Sequence, residues 1–153
     1  NNAGIGKFAP IQDISTIDWD SQINTNLKGS FLISRQFVPS MIKSNNGVLV
    51  FIGSVASKKG YPFGAAYAAS KFGQRGLAES LREELREFNI KVMTVLPGAV
   101  NTPFWDNVNS KSKFKKDDML NSYDIAEKVV ECVNSKGNMV IEEVLIRRVA
   151  GDL

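Results

Sequence analysis

Tyr67 and Lys71 stand four positions apart in Tyr67-Ala68-Ala69-Ser70-Lys71, a spacing that puts a phenol and an ammonium on one face of a helix. Together they could move a proton near neutral pH. A free tyrosine titrates near ~10, so working near ~7 takes a shift of about 3 units, or roughly 4 kcal/mol. One ammonium about 4 Å away, at an effective dielectric of about 20, supplies about that much. Histidine would be the ordinary alternative, but the chain has none, and Cys132 is its one cysteine. A Ser-His-Asp hydrolase, a histidine zinc site and a thiolate cage are therefore excluded within it, and no metal site is expected. Taken alone, Tyr-x-x-x-Lys is a weak signal, because a lysine snorkelling beside a packed tyrosine explains most such pairs.

The surrounding elements strengthen it. Asp18 to Lys43 reads as a helix, with Ser15 and Asp18 in capping-box spacing and Ile23, Leu27, Phe31 and Phe37 forming one buried stripe. Pro39 near its end implies a kink or an early stop. Asn45-Asn46-Gly47 makes a turn into Val48–Ile52, an apolar run whose length and β-branching indicate a strand buried on both faces. A loop punctuated by Gly60, Pro62 and Gly64 leads to a second helix, about Ala65 to Phe88, in which Gly73 and Gly76 are expected to allow close packing. Lys91–Leu96 is the next strand, stopped by Pro97-Gly98. Asp124 to about Asn134 is a third helix capped by Ser122 and ended by Gly137, and Met139–Val149 is a last strand. This alternation predicts a doubly wound α/β fold with a parallel, Rossmann-type sheet in one domain covering 1–153. Right-handed crossovers then place a ligand site at the C-terminal ends of the strands.

Composition sets the class. At 153 residues, 43% hydrophobic and 23% charged, the chain suits one soluble globular domain. No apolar run approaches the ~20 residues of a membrane helix. With no leader sequence and a lone cysteine, a cytoplasmic location is expected. The net charge of +3 owes much to Lys111, Lys113, Lys115 and Lys116, too little for a nucleic-acid face. Neither a nucleic acid nor a membrane is expected as a partner.

Three sequence positions lie at strand ends beside the Tyr67–Lys71 helix: the opening Asn1-Asn2-Ala3-Gly4, Gly53-Ser54, and Pro97-Gly98-Ala99-Val100-Asn101-Thr102. Asn26 stands in Asn26-Leu27-Lys28-Gly29, and Ser54 precedes Tyr67 by thirteen positions. Singly, Ser54 reads equally as a strand-end cap, Asn26 as a helix-kink residue and Pro97-Gly98 as a plain turn. In this order and spacing the set resembles the short-chain dehydrogenase/reductase family over the whole chain.

The resemblance implies an NAD(P)-dependent carbonyl reductase or alcohol dehydrogenase, an oxidoreductase that takes NADP or NAD and a small carbonyl or alcohol substrate. Tyr67 would be the general acid/base. Lys71 would hold the nicotinamide ribose and lower the tyrosine pKa, Ser54 would bind the substrate oxygen, and Asn26 would fix a water of the proton relay. Val100 and Thr102, after Pro97 and Gly98, would hold the nicotinamide carboxamide, with Asn1, Asn2, Ala3 and Gly4 toward the adenosine side. A homodimer or homotetramer is implied, built on the two long helices, where Phe37, Met41, Phe72 and Leu77 exceed what one stripe needs.

The resemblance also implies a strand, a Gly-rich turn and a helix ahead of Asn1 that would receive the cofactor pyrophosphate and choose between NAD and NADP. Without them the chain is expected neither to fold stably nor to bind cofactor tightly alone, and the alternative reading is a non-catalytic fragment of such an enzyme. The ending Ile146 to Leu153 lacks the terminal Gly-Gly of one bacterial branch, the 3-oxoacyl-carrier-protein reductases, which weakens an acyl-carrier substrate. Asn101 to Asn121 occupies the place of the family's substrate lid, where its lysines would favour an anionic substrate.

Overall fold

The computed structural model describes residues 1–107 and 115–151. Three parallel strands form the sheet in the order β1 (Gly47–Ile52), β2 (Ile90–Pro97), β3 (Glu143–Ile146). Strand β2 is central and almost wholly buried, as its unbroken apolar run requires. Along the other edge of β1, the main-chain nitrogen of Asn1 donates to Val50 O (2.8 Å) and Ile52 N–H donates to Asn1 O (2.9 Å). The expected last strand, Met139–Val149, is ordered as a strand only over β3, where it can pair with Thr94–Pro97.

Helix α1 (Thr16–Gln22) starts where Ser15 Oγ accepts the Asp18 N–H at 3.0 Å. It runs through a π-helical segment, Ile23–Lys28, into α2 (Gly29–Ser44), which carries Pro39 in its interior and ends on Asn45 in the left-handed region at φ 49°. The expected apolar stripe is corrected here. Phe31 is 42% and Phe37 52% exposed, whereas the buried face is Gln22, Asn26, Ser30 and Ser34. The reason lies across the interface: α3 (Ala65–Leu85) presents Ser70 and Gln74, so the two helices meet through small side chains and hydrogen bonds. Gly73 makes the approach possible, since a Cβ there would lie 2.7 Å from Leu27 Cδ2. Gly76 faces open space within the chain.

The apolar core lies between α3 and the sheet, around Leu49, Phe51, Ala78, Leu85, Ile90 and Val92. Arg82 is buried beside it because its guanidinium finds fixed acceptors: Nε donates to Val92 O (3.0 Å) and Nη2 to Glu142 O (2.9 Å). On β3, Glu143 pairs with Arg75 of α3 and with Lys58, each at 2.6 Å, pinning the third strand to the helix and to the loop after β1. Helix α4 (Ser122–Val133) is capped by Asn121, whose side chain accepts the Tyr123 N–H, one residue before the expected cap. Gly137 adopts φ +63° just beyond it. No helix among the described residues is long and apolar enough to cross a membrane.

Candidate active site

Strand β1 runs out at Ile52, and the chain turns over the sheet end through Gly53 and Ser54. Ser54 caps the short helical turn Val55–Ser57: its Oγ accepts the Ala56 N–H at 3.1 Å, and its own N–H donates to Ser57 Oγ at 3.3 Å. An oxygen occupied as an acceptor keeps its hydroxyl proton to donate, so capping and substrate binding are compatible.

Helix α3 brings Tyr67, Ser70, Lys71 and Gln74 to the same end of the sheet. Lys71 is 3% exposed, and its Nζ donates to Ile52 O (2.9 Å) and Gln74 Oε1 (3.2 Å). Two of its three N–H donors are thus taken, leaving one for a ligand in the cavity that Lys71 lines. The same Nζ stands 5.9 Å from the centre of the Tyr67 ring.

The π-helical segment carries Asn26, a kind of irregularity that frequently accompanies functional sites. Its Oδ1 accepts the Ile5 N–H at 2.8 Å, and its Nδ2 donates to Ile5 O and Ser70 Oγ, both at 2.9 Å. Asn26 therefore ties the opening segment of the chain to α3.

Asn2, Gly4, Ser54, Tyr67, Lys71, Pro97, Gly98, Val100 and Thr102 all line one cavity of about 1440 Å³ at the C-terminal strand ends. Asn26, Asn1 and Ala3 stand off its wall, Asn26 buried behind it and Asn1 paired along β1. Of the four lysines in the expected lid, those at 111 and 113 lie outside the described residues, and Lys116 is paired with Asp106 at 2.5 Å.

Two sets of residues escaped the sequence reading. Gln74 and Ser30 complete a buried polar seam: Gln74 Nε2 donates to Ser30 Oγ (2.8 Å), which donates to Asn26 O (2.9 Å). Helical spacing could have found Gln74, three positions after Lys71. The second set is aromatic. Phe8 and Phe104 tilt against the Tyr67 ring at centroid distances of 5.5 and 5.8 Å, and Tyr61 stacks on Phe8 at 6.0 Å. Nothing in the sequence joins Phe8 to Phe104, because the fold alone makes them neighbours.

The electrostatics differ from the expectation that Lys71 lowers the Tyr67 pKa. Burial pushes Tyr67 up to about 12, partly opposed by a hydrogen bond with Ser54. Burial likewise holds Lys71 down at about 8. Both groups share one dry environment, so each resists its charged form. In this state the phenol is neutral across the ordinary pH range.

The match to known proteins follows this geometry. The short chain dehydrogenase family model matches residues 1–113, and the chain belongs to that family. Over 153 residues, all of this chain, it is 38% identical to a sepiapterin reductase of Chlorobaculum tepidum and covers 62% of that protein. A 3-oxoacyl-[acyl-carrier-protein] reductase of Thermotoga maritima is 41% identical over 113 residues, 74% of this chain and 46% of the relative. Among solved structures, an alcohol dehydrogenase from the archaeon Thermococcus sibiricus, complexed with 5-hydroxy-NADP, superposes with TM-score 0.85 at 26% identity, covering 97% of this chain and 61% of that one. A metagenomic short-chain oxidoreductase in complex with NADP gives TM-score 0.76 at 35% identity, covering 97% and 59%. The chain thus spans less than two thirds of the length of these relatives.

Proposed function

We propose that this chain is the catalytic portion of an NAD(P)(H)-dependent oxidoreductase acting on a carbonyl or alcohol substrate. The observation that carries this reading is the convergence of Ser54, Tyr67 and Lys71 on one cavity at the C-terminal strand ends. The NADP compounds bound to two structural relatives support the cofactor class. Lys71, with its remaining N–H, would hold a ribose hydroxyl; Val100 and Thr102 would hold the carboxamide, with Asn2 and Gly4 nearer the adenosine. The bound nicotinamide would supply the hydride in reduction and accept it in oxidation.

The chain's own residues handle the oxygen. Ser54 donates a hydrogen bond to the substrate oxygen and aims it at Tyr67. In reduction Tyr67 gives its phenolic proton to that oxygen as negative charge develops there. The Lys71 ammonium stabilises the phenolate left behind. Asn26 serves as an anchor: its amide, spent on Ile5 and Ser70, holds the cavity floor and the start of α3 in register.

The alternative of an inert fragment is not favoured: the lining of one cavity by Ser54, Tyr67 and Lys71 supports the catalytic reading. Incubating the full-length protein with NADPH or NADH and a panel of ketones, and following the nicotinamide absorbance, tests the reading. Ketone-dependent oxidation of either cofactor is expected; none with any ketone overturns it. A homodimer or homotetramer belongs to the same reading, supported by the exposed Phe31, Leu32, Ile33 and Phe37 of α2 and Phe72 of α3. Sedimentation as a monomer at micromolar concentration would contradict it.

A further inference from the structure

The entrance to Tyr67 is walled by aromatic rings whose positions are set by the backbone. A Cβ on Gly6 would fall 2.5 Å from Phe104 Cζ and 3.0 Å from Phe8 Cε2, so that glycine is the seat on which the two rings converge. Gly64 plays the same part for Tyr61, whose Cε2 would lie 2.4 Å from an added Cβ. The loops bearing these rings are tied together where Ala9 N–H donates to Phe63 O at 2.9 Å. Phe63 itself holds φ +66°, a conformation rare for a bulky residue and concentrated at ligand clamps. On the other side, Trp105 Nε1 donates to Val100 O at 2.9 Å, and its ring meets Phe104 edge-on at 5.3 Å.

From this geometry we infer that the cavity mouth formed by Phe8, Tyr61, Phe104 and Trp105 is a recognition site for a flat, conjugated carbonyl compound, whose ring packs against these rings while its carbonyl reaches Tyr67. An adaptable apolar pocket would be lined by flexible side chains such as methionine and leucine. Here the rings are fixed, and fixed faces reward a planar partner at 4.5–7 Å more than a puckered aliphatic one. Phe8 and Phe104 both tilt by 53° against the Tyr67 ring, so a substrate whose carbonyl meets the phenol must pass beside them.

The inference rests on the carbonyl-reductase reading, and its test separates the two. Acetophenone and cyclohexyl methyl ketone share a carbon skeleton and differ in ring planarity. Conjugation makes the aryl ketone the less reactive of the pair, so a preference for it must come from the protein. In the full-length enzyme, kcat/KM for acetophenone should exceed that for the cyclohexyl ketone by about tenfold, the scale of two ring contacts. Phe104→Leu should shrink that ratio at least threefold, and Phe8→Leu serves if the first variant does not fold. A ratio near one, unchanged in either variant, overturns the inference and leaves the reductase reading intact. Binding gives an arm independent of turnover. In a Trp19→Phe background, 1-phenylethanol should quench Trp105 fluorescence saturably while 1-cyclohexylethanol does so far more weakly. Selective quenching without ketone reduction sustains the site and sinks the hydride chemistry; equal quenching by both alcohols sinks the site.

Discussion

Lys71 Nζ lies 3.2 Å from Gln74 Oε1, and Ser30 fixes the orientation of that amide. Ser30 Oγ gives its proton to Asn26 O, so toward Gln74 it can only accept, and the Gln74 NH₂ must face it. The amide oxygen is thereby turned to the ammonium. Among the described residues, the titratable side chain facing Lys71 is Tyr67 on its own helix; Asn26, Ser30 and Ile52 O are neutral. Removing the acceptor in Gln74→Leu disfavours the charged lysine, so its pKa falls further. The alkaline limb of ketone reduction should move down by about one pH unit, the scale of one hydrogen bond to a charge. Gln74→Glu should move it up. A pH profile of kcat/KM for both variants checks this, and two unmoved limbs would show that Gln74 only packs.

The two directions of the reaction should depend on pH in opposite senses. With Tyr67 held up at about 12, the phenol is protonated throughout the neutral range, which suits the acid needed for reduction. Reduction should stay level up to about pH 8 and then decline as Lys71 loses its proton. Alcohol oxidation needs the phenolate together with the Lys71 ammonium, so its kcat/KM should climb by up to about tenfold per unit as far as about pH 8 and level off above it. Measuring both from pH 6 to 10 decides it; an oxidation profile that is flat there would contradict the environment described for Tyr67.

Asn26→Ala should cost stability before it costs chemistry. It strands the Ile5 N–H and C=O and one partner of Ser70, all around a fully buried position. Each stranded buried group costs about 1–3 kcal/mol, so a loss of about 2–4 kcal/mol is expected once local relaxation is allowed. Urea unfolding of the full-length protein measures it, and a change below about 0.5 kcal/mol would show that the anchor is dispensable.

Ser54→Ala tests two roles at one atom, the observed cap and the proposed hydrogen bond to substrate. The lost cap on Ala56 N–H should cost about 0.5–2 kcal/mol of stability. The lost hydrogen bond to the reacting oxygen should lower kcat by about 10²–10³. Unchanged kcat with reduced stability would confine Ser54 to capping.

Much of this was legible in the sequence, for identifiable reasons. The strands were found because Val48–Ile52 and Lys91–Leu96 are short apolar runs between Gly/Pro punctuation, which a parallel sheet requires. Tyr67, Lys71 and Ser54, which line one cavity, were singled out because their spacing and order resemble those of a family to which the chain belongs. The first long helix misled because periodicity was read on apolar residues alone. Its inward face is Gln22, Asn26, Ser30 and Ser34, a polar row at intervals of four in which Asn26 and Ser30 meet Ser70 and Gln74 of the distant α3, Gln22 accepts the Lys7 N–H, and Ser34 Oγ has no hydrogen-bond partner among the described residues. The aromatic wall was invisible for the same reason: Phe8 and Phe104 meet at Gly6 only after folding. For the tyrosine pKa, only the distance to Lys71 was legible in the sequence; the shared burial that raises it appears only in the fold.

The most direct test of the central claim is Tyr67→Phe in the full-length enzyme, assayed for NADPH-dependent ketone reduction and, separately, for NADPH binding by nicotinamide fluorescence. Phenylalanine keeps the ring between Phe8 and Phe104 and removes only the proton donor. Turnover should fall by about 10³-fold or more while the NADPH Kd stays within about twofold. Near-normal turnover in the variant, with binding intact, would contradict the assignment of Tyr67 as the acid.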